Sequence, residues 1–111
     1  MIRVLVVDDY KPWHKFVTVT LETDPRCKVI GLASDGPVAI EMCRVLRPDV
    51  IILDINLSDW NGMLVAQKMQ EVVPDARIIF FSNHISFDFI SAAFEVGARG
   101  FVAKRMAGSY Q

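Results

Sequence analysis

The chain has 111 residues, which is enough for one average domain and too few for two. With 52% hydrophobic and 23% charged residues it has the composition of a globular domain, which excludes a disordered tail, a collagen-like repeat and a highly charged linker. The formal net charge is −1, so the chain lacks the basic field of a nucleic-acid-binding protein, and we predict no direct nucleic-acid binding by this segment.

Short apolar runs alternate with amphipathic stretches along the chain. The apolar runs are rich in β-branched residues, as strands buried on both faces of a sheet are, and they predict strands at 2–7, 28–33, 50–53, 77–81 and 101–103. The stretches between the strands carry apolar residues at helical spacing, and they predict four helices with buried stripes that start at Trp13, Ala39, Val65 and Phe87.

The strict alternation of strands and helices indicates a mostly parallel sheet with helices on both faces. We therefore predict an α/β fold, a flavodoxin-like doubly wound sheet of five parallel strands in the order 2-1-3-4-5. Only residues 105–111 remain for a last helix, so we predict that this helix is truncated or very short. Residues 1–111 are interpreted as one domain, the N-terminal fragment of a longer protein.

Polar residues and a glycine mark the predicted helix ends. The predicted caps are Asp9, Asp35, Asn61 and Ser86 at the N-termini and Gly97 at a C-terminus. The fourth helix starts with Phe87 and Phe89, which are two residues apart and cannot both face the core. We expect Phe87 to join the buried stripe with Ile90 and Phe94, and Phe89 to lie half-buried. The alternative places Phe89 on an interaction surface.

The two cysteines, Cys27 and Cys43, do not make the framework of a disulfide-rich domain. Both have apolar neighbours in the sequence, which favours buried thiols in a reducing compartment. No run approaches the roughly 18 consecutive apolar residues of a membrane span, and the first apolar run is too short for the core of a signal peptide. We therefore predict a cytoplasmic protein that does not associate with membranes.

Polar residues follow each of the five predicted strands, and the second strand ends near Ser34 and Asp35. Asp8 and Asp9 follow the first strand, Asp54 the third, Ser82 the fourth and Lys104 the fifth. Ligands of an open α/β sheet bind at the carboxyl ends of the strands, next to the switch in strand order. We therefore expect these five side chains to converge.

Three converging carboxylates repel one another, and a hard divalent cation such as Mg²⁺ relieves the repulsion through the oxygen ligands it prefers. A lysine ammonium and a hydroxyl opposite them complete a pocket for a doubly charged tetrahedral oxyanion. A carboxylate in such a pocket can act as the nucleophile toward a phosphoryl donor. Each residue alone also has an ordinary structural role, as a helix cap, a turn residue or a solvated side chain. Their coincidence at four strand ends favours a phosphoryl site.

Four motifs, in this order and spacing, resemble the receiver domain of two-component response regulators. They are Val6-Val7-Asp8-Asp9, residues 51–57 followed by Gly62, Phe80-Phe81-Ser82, and residues 97–104. The resemblance extends from residue 2 to about residue 107. Lys104 is followed by Arg105 instead of the proline usual in the family, a pattern similar to regulators that carry a C-terminal LuxR-type helix-turn-helix.

The resemblance implies that Asp54 is a phosphoacceptor, served by the phosphohistidine of a histidine kinase or a phosphotransfer protein. It implies a Mg²⁺ ion held directly by Asp9 and Asp54, by the backbone carbonyl of Asn56, and by Asp8 through water. The chain would then be a signalling switch with weak autophosphorylation and autodephosphorylation activity rather than an enzyme.

The resemblance also assigns roles to Lys104, Ser82 and Phe101. Lys104 would pair with Asp54 and contact the phosphoryl oxygens, and Ser82 would hydrogen-bond the phosphoryl group. Phe101 matches the aromatic switch residue of the family, which turns inward when Ser82 moves. The surface of the fourth helix and the fifth strand would then control an output, which we expect to be transcription through a DNA-binding domain absent from this segment. Formation of a homodimer is left open.

Two departures from the family pattern concern the loop after Asp54 and the bond after Lys104. Ser58 stands where the family usually has proline, and Trp60 has no assigned role: it either contacts a partner or packs over the site. The bond between Lys104 and Arg105 is expected to be trans, because a cis bond before a residue other than proline costs about 2.5–4 kcal/mol.

The alternative hypothesis is a pseudo-receiver, a phosphorylation-independent module for protein interaction or dimerisation with the same fold. A haloacid-dehalogenase-type phosphatase is disfavoured because Asn56 stands where that family needs a second aspartate. Nucleotide-binding folds are disfavoured because their glycine-rich phosphate loops are absent. His14 and His84 lack a second histidine or cysteine at ligand spacing, so solvated or capping roles are expected for both.

Overall fold

The residues that the computed structural model describes, 1–55, 61–83 and 86–104, contain five parallel strands in one sheet. The strands are β1 (Ile2–Val7), β2 (Cys27–Ala33), β3 (Val50–Asp54), β4 (Arg77–Ser82) and β5 (Gly100–Ala103). Their order is β2-β1-β3-β4-β5, so the direction of winding changes next to β1. The predicted fold and strand order are confirmed, and each predicted strand is correct to within one residue at either end.

The described part of the chain also contains four helices, in alternation with the strands. They are α1 (Lys11–Leu21), α2 (Gly36–Leu46), α3 (Gly62–Val72) and α4 (Phe87–Glu95). None of the helices in these segments is long and apolar enough to cross a membrane. The predicted last helix, together with the bond after Lys104, lies outside the described residues.

Side-chain caps start two of the helices as predicted. The Asp35 carboxylate accepts a hydrogen bond from the Val38 N–H at 2.9 Å, and the Asn61 side chain accepts one from the Met63 N–H at 2.7 Å. Ser86 takes the N-cap position of α4, because its carbonyl accepts the N–H of Ile90 at 3.1 Å.

The prediction that Asp9 caps α1 is wrong. Tyr10 occupies the N-cap position, and its side chain makes no capping hydrogen bond. The chain turns into α1 because Oδ1 of Asp8 accepts the backbone N–H of Tyr10 at 2.8 Å. Pro12 then lies in the first turn, where the missing N–H has no helical partner to lose.

Gly97 ends α4 as predicted. Its φ of 92° is a conformation that residues with a Cβ rarely adopt. The N–H of Gly97 donates to the carbonyl of Phe94, and the N–H of Ala98 donates to the carbonyl of Ala93, both at 3.0 Å. This pair of bonds is a Schellman motif, and it turns the chain toward β5.

The sheet separates two hydrophobic clusters, because successive strand residues point to opposite faces. On one face Val4, Val6 and Ile52 pack against Trp13 and Val17 of α1. The opposite face carries the larger cluster, which contains buried residues of α2, α3 and α4. Helices therefore cover both faces, as the alternating sequence pattern predicted.

The predicted buried stripe of α4 is wrong. Phe87 is 73% exposed and Phe94 is 52% exposed, whereas Ala93 is fully buried and Ile90 is half-buried. Phe87 and Phe94 are seven residues apart and share one face of the helix, so the small side chain of Ala93 lies against the core instead. The side chain of Phe89 lies outside the described part of the structure.

The two cysteines differ in burial. Cys43 is fully buried, as predicted, whereas Cys27 is only half-buried, because β2 is an edge strand. Burial raises the pKa of the Cys43 thiol to about 11. Because the folded state favours the neutral thiol, this residue's contribution to stability is complete below its ordinary pKa of 9.0 and is lost as the pH rises toward 11.

We expect an alkylating reagent to modify Cys27 well before Cys43 at pH 8. Alkylation needs an accessible thiolate, and Cys43 is both fully buried and almost entirely protonated at that pH. Peptide mapping by mass spectrometry after timed exposure to iodoacetamide measures the two rates. Equal rates in the native protein, with both thiols reacting faster in urea, would contradict the burial of Cys43.

Candidate functional site

The polar residues that end or follow the predicted strands lie at the carboxyl edge of the sheet. Parallel pairing places Val7 beside Leu53, Asp54 beside Phe81 and Ser82 beside Ala103. The residues that end or follow these strands therefore lie in one row along the edge. Four of these residues are buried, with whole-residue exposures of 0% to 6%, and they are Asp8, Asp54, Ser82 and Lys104. Asp9 is exposed.

Three carboxylates meet at this edge. Asp8, Asp9 and Asp54 each offer an oxygen, and these oxygens all lie within 4.8 Å of one another. The structure thus brings together the three acidic residues that were predicted to converge from β1 and β3.

The ammonium of Lys104 joins two of the carboxylates. Its Nζ lies 3.4 Å from Oδ2 of Asp54 and still closer to Oδ2 of Asp8. All three side chains are at most 8% exposed, so the ion pairs replace water that these charges would otherwise need. Pairing with Asp54 was expected from the resemblance, and the closer contact with Asp8 was not.

Asp8 is held by three elements of the fold. Its Oδ1 accepts the N–H of Tyr10, its Oδ2 accepts a hydrogen bond from Lys104, and its backbone carbonyl contacts Nε2 of His14. A carbonyl can only accept a hydrogen bond, so Nε2 of His14 is the donor in this contact. These bonds fix Asp8 at the junction of β1, α1 and β5.

The solvated or capping role expected for His14 is wrong, because this side chain is only 7% exposed and contacts Asp8. His14 lies in the first turn of α1, directly over the end of β1, where a buried carbonyl needs a donor. Its position six residues after Asp8 was the available signal in the sequence. His84 lies outside the described residues.

Trp13 is a neighbour of the site, although its position in the helical pattern predicted only a core residue. Lys104 Nζ lies 5.1 Å from the centroid of the Trp13 ring, within the range of a cation–π contact. The same ring packs against Phe16 at 5.2 Å and Phe81 at 5.5 Å between centroids. No pattern in the sequence distinguishes this tryptophan from an ordinary core residue.

Gly62 lets the chain return closely to the end of β3. Its N–H donates to the carbonyl of Ile55 at 2.9 Å, which joins the start of α3 to the residue after β3. A Cβ at this position would lie 2.5 Å from the Ile55 oxygen and 2.8 Å from the Asp54 oxygen, closer than real Cβ atoms come to backbone. The motif glycine is therefore required by a close backbone approach.

The two predicted switch residues lie on β4 and β5. Ser82 is fully buried at the end of β4. Phe101 is half-buried, and its ring centroid lies 6.5 Å from that of Phe80 at an interplanar angle of 43°. Asn56, Ser58 and Trp60 lie outside the described residues, so the predicted carbonyl ligand and the two loop departures stay predictions.

The donor set fits a Mg²⁺ ion. Carboxylate oxygens are the ligands that this hard cation prefers, and it commonly takes one or two directly while keeping waters. The three carboxylates and the Lys104 ammonium carry a formal net charge of −2, which a divalent cation would balance. Asp9 and Asp54 are the predicted direct ligands, and Asp8, already bound to Lys104, suits contact through water.

Comparison with known proteins identifies one family over nearly the whole chain. Residues 4–109 match the family described as the response regulator receiver domain. The chain is 34% identical over 110 residues to the DNA-binding transcriptional activator DevR/DosR of Mycobacterium tuberculosis, covering 97% of this chain and 50% of that protein. It is 36% identical over 110 residues to a protein-glutamate methylesterase/protein-glutamine glutaminase of Rhizobium etli, covering 98% of this chain and 32% of that protein.

A solved structure shows the same fold. The crystal structure of a LuxR-family two-component response regulator from an Aurantimonas species superimposes with a TM-score of 0.88 at 29% identity, covering 92% of this chain and 73% of that one. The chain spans about half the length of the transcriptional relative and about a third of the length of the methylesterase. Each of these proteins therefore shares one region with the chain. The family match over nearly all residues, on this fold and this acidic edge, shows that the chain belongs to the response regulator receiver domain family of two-component signalling.

Proposed function

We propose that Asp54 is the phosphoacceptor of this receiver domain. The observation that supports the proposal is the position of its buried carboxylate, between the Lys104 ammonium at 3.4 Å and the carboxylates of Asp8 and Asp9. This arrangement offers a nucleophilic oxygen together with positive charge and metal ligands for a phosphoryl group. The donor is the phosphohistidine of a histidine kinase or phosphotransfer protein.

In the transfer, an Asp54 oxygen forms a bond to phosphorus while the bond between phosphorus and the histidine nitrogen breaks. Lys104 contacts the phosphoryl oxygens and offsets their charge, and the Ser82 hydroxyl donates a hydrogen bond to one of them. Asp9 and Asp54, with Asp8 and the predicted carbonyl ligand of Asn56, would hold a Mg²⁺ ion, which would supply further charge compensation when bound. The same groups support slow loss of the phosphoryl group to water, which returns the switch to its resting state.

The output surface of this proposal is α4 and β5. Phe87 and Phe94 expose aromatic rings on one face of α4, and Phe101 lies half-buried on β5. Movement of Ser82 toward the phosphoryl group would shift the balance between two states of this surface. The output is transcription through a DNA-binding domain outside this segment, as the name of the DevR/DosR relative suggests. The surface of α4 and β5 is also the one through which a homodimer would form.

Intact-mass measurement after incubation with acetyl phosphate tests the proposal. We expect a gain of one phosphoryl group that requires Mg²⁺ and is absent in Asp54→Asn. The matched control is Asp75→Asn, which changes an exposed carboxylate away from the carboxyl edge and should gain the group normally. No gain in wild-type protein that circular dichroism shows to be folded would defeat the proposal and favour a phosphorylation-independent interaction module.

A further inference from the structure

Trp13 combines deep burial with contact to a charged residue of the site. It lies in the first turn of α1 with an exposure of 1%, and the Lys104 ammonium lies 5.1 Å from the centroid of its ring. The ring also packs at 5.5 Å against Phe81, the residue immediately before Ser82. The Trp13 ring therefore contacts both the Lys104 ammonium and the residue that precedes Ser82 in the chain.

The surroundings of the Lys104 ammonium bear on the strength of its contact with the Trp13 ring. Lys104 is 6% exposed at its side chain and has the Asp8 and Asp54 carboxylates as ion-pair partners. An ammonium on a flexible four-carbon chain needs packing to select one position among many. The face of an indole attracts a cation, most strongly where water is largely excluded, so the ring favours one position of Nζ.

We propose that Trp13 is a positioning residue for Lys104, whose ring holds the ammonium between Asp8 and Asp54. The consequence for phosphoryl transfer rests on the proposed function, because it requires Lys104 to meet phosphoryl oxygens at Asp54. The position of the ammonium against the ring does not rest on it. One experiment tests the position of the ammonium against the ring, and a second tests its consequence for phosphoryl transfer.

The first experiment measures tryptophan emission and needs no phosphorylation. The chain has two tryptophans, so a Trp60→Phe background leaves Trp13 as the only emitter. A charge on the face of an indole changes the energy of its emission, so Lys104→Met should shift the emission maximum. Lys15→Met, which removes an exposed lysine of α1, should leave the maximum unchanged. Identical spectra for folded Lys104→Met and its parent would overturn the proposal.

The second experiment compares phosphorylation rates in variants that keep Lys104. With acetyl phosphate and saturating Mg²⁺, Trp13→Leu should slow the mass gain about thirtyfold, the rate equivalent of losing a desolvated cation–π contact. Trp13→Phe keeps an aromatic face and should recover part of the rate. Phe16→Leu removes a neighbouring ring of the same cluster, 5.2 Å from Trp13, and should stay within about twofold of wild type.

The pattern of rates distinguishes positioning from packing. Equal slowing by Trp13→Leu and Phe16→Leu, or no recovery in Trp13→Phe, would overturn the positioning role, because loss of packing alone predicts that result. Absence of phosphorylation in the wild type would instead defeat the proposed function, and the emission measurement would then decide whether Trp13 holds the ammonium.

Discussion

Replacing Lys104 with methionine is expected to lower the free energy of unfolding by about 3–5 kcal/mol, the usual cost of removing one partner of a buried ion pair. The reason is that Asp8 is fully buried and Asp54 is 6% exposed, so loss of the ammonium leaves two adjacent carboxylates with less compensation in a site that excludes water. Urea denaturation followed by circular dichroism, in buffer without divalent cations, measures the change. The phosphoryl gain from acetyl phosphate should fall in the same variant.

Magnesium provides an internal check of this explanation. If the loss comes from uncompensated charge, Mg²⁺ should stabilise Lys104→Met more than it stabilises the wild type, because the ion binds a site that has become more negative. The control is Lys15→Met, which removes an exposed lysine and should change stability little. Wild-type stability for Lys104→Met without divalent cations would show that the ion pairs to Asp8 and Asp54 contribute little.

Replacing Gly62 with alanine is expected to lower the free energy of unfolding by about 2–3 kcal/mol, at the upper end of the usual cost of overpacking. Helix propensity alone would favour alanine here by up to about 1 kcal/mol. That gain is outweighed because the new Cβ would lie 2.5 Å from the Ile55 oxygen and 2.7 Å from its Cα, and these backbone atoms cannot move without displacing the end of β3. The melting temperature should fall by roughly 10–15 °C for a domain of this size.

The Gly62 substitution has a matched control in Gly100→Ala. A Cβ on Gly100 would meet only the Ile79 side chain, at 3.6 Å, which is ordinary van der Waals contact, so stability should change little. Because Asp54 lies at the end of the strand that Gly62 contacts, Gly62→Ala should also slow the phosphoryl gain. Similar melting temperatures for Gly62→Ala and Gly100→Ala would show that the backbone of Asp54 and Ile55 relaxes freely around the added methyl group.

The alternation of strands and helices was predictable because local chemistry decides it. Apolar β-branched runs bury both faces of a strand, and Asp35 and Asn61 start helices through their own side chains. Once the strands are parallel, their carboxyl ends share one edge, so the residue after each strand is placed with the others whatever the details of packing. For this reason the meeting of Asp8, Asp9 and Asp54 could be predicted from the ends of β1 and β3 alone.

The sequence pattern does not predict the contacts between elements that are distant in the chain. Lys104 lies closer to Asp8, which is 96 residues before it in the chain, than to Asp54. The position of the end of β5 relative to the end of β1 depends on the whole sheet. The burial of His14 over the Asp8 carbonyl and the ring of Trp13 beside Lys104 depend on how α1 lies on the sheet.

The exposure of Phe87 and Phe94 follows the same principle. Helical spacing shows which residues share a face of a helix. Which of these faces lies against the sheet depends on the packing of the neighbouring elements. In α4 the face against the core is the one that carries the fully buried Ala93. Short-range patterns in the sequence therefore predict the alternation of strands and helices, and the geometry of parallel strands then predicts which residues lie at the acidic edge. Five alternating units suggest the strand order but do not prove it, and the folded structure shows it directly. The partners of each side chain within the acidic edge are likewise visible only in the folded structure, because they depend on distances between elements that no local pattern encodes.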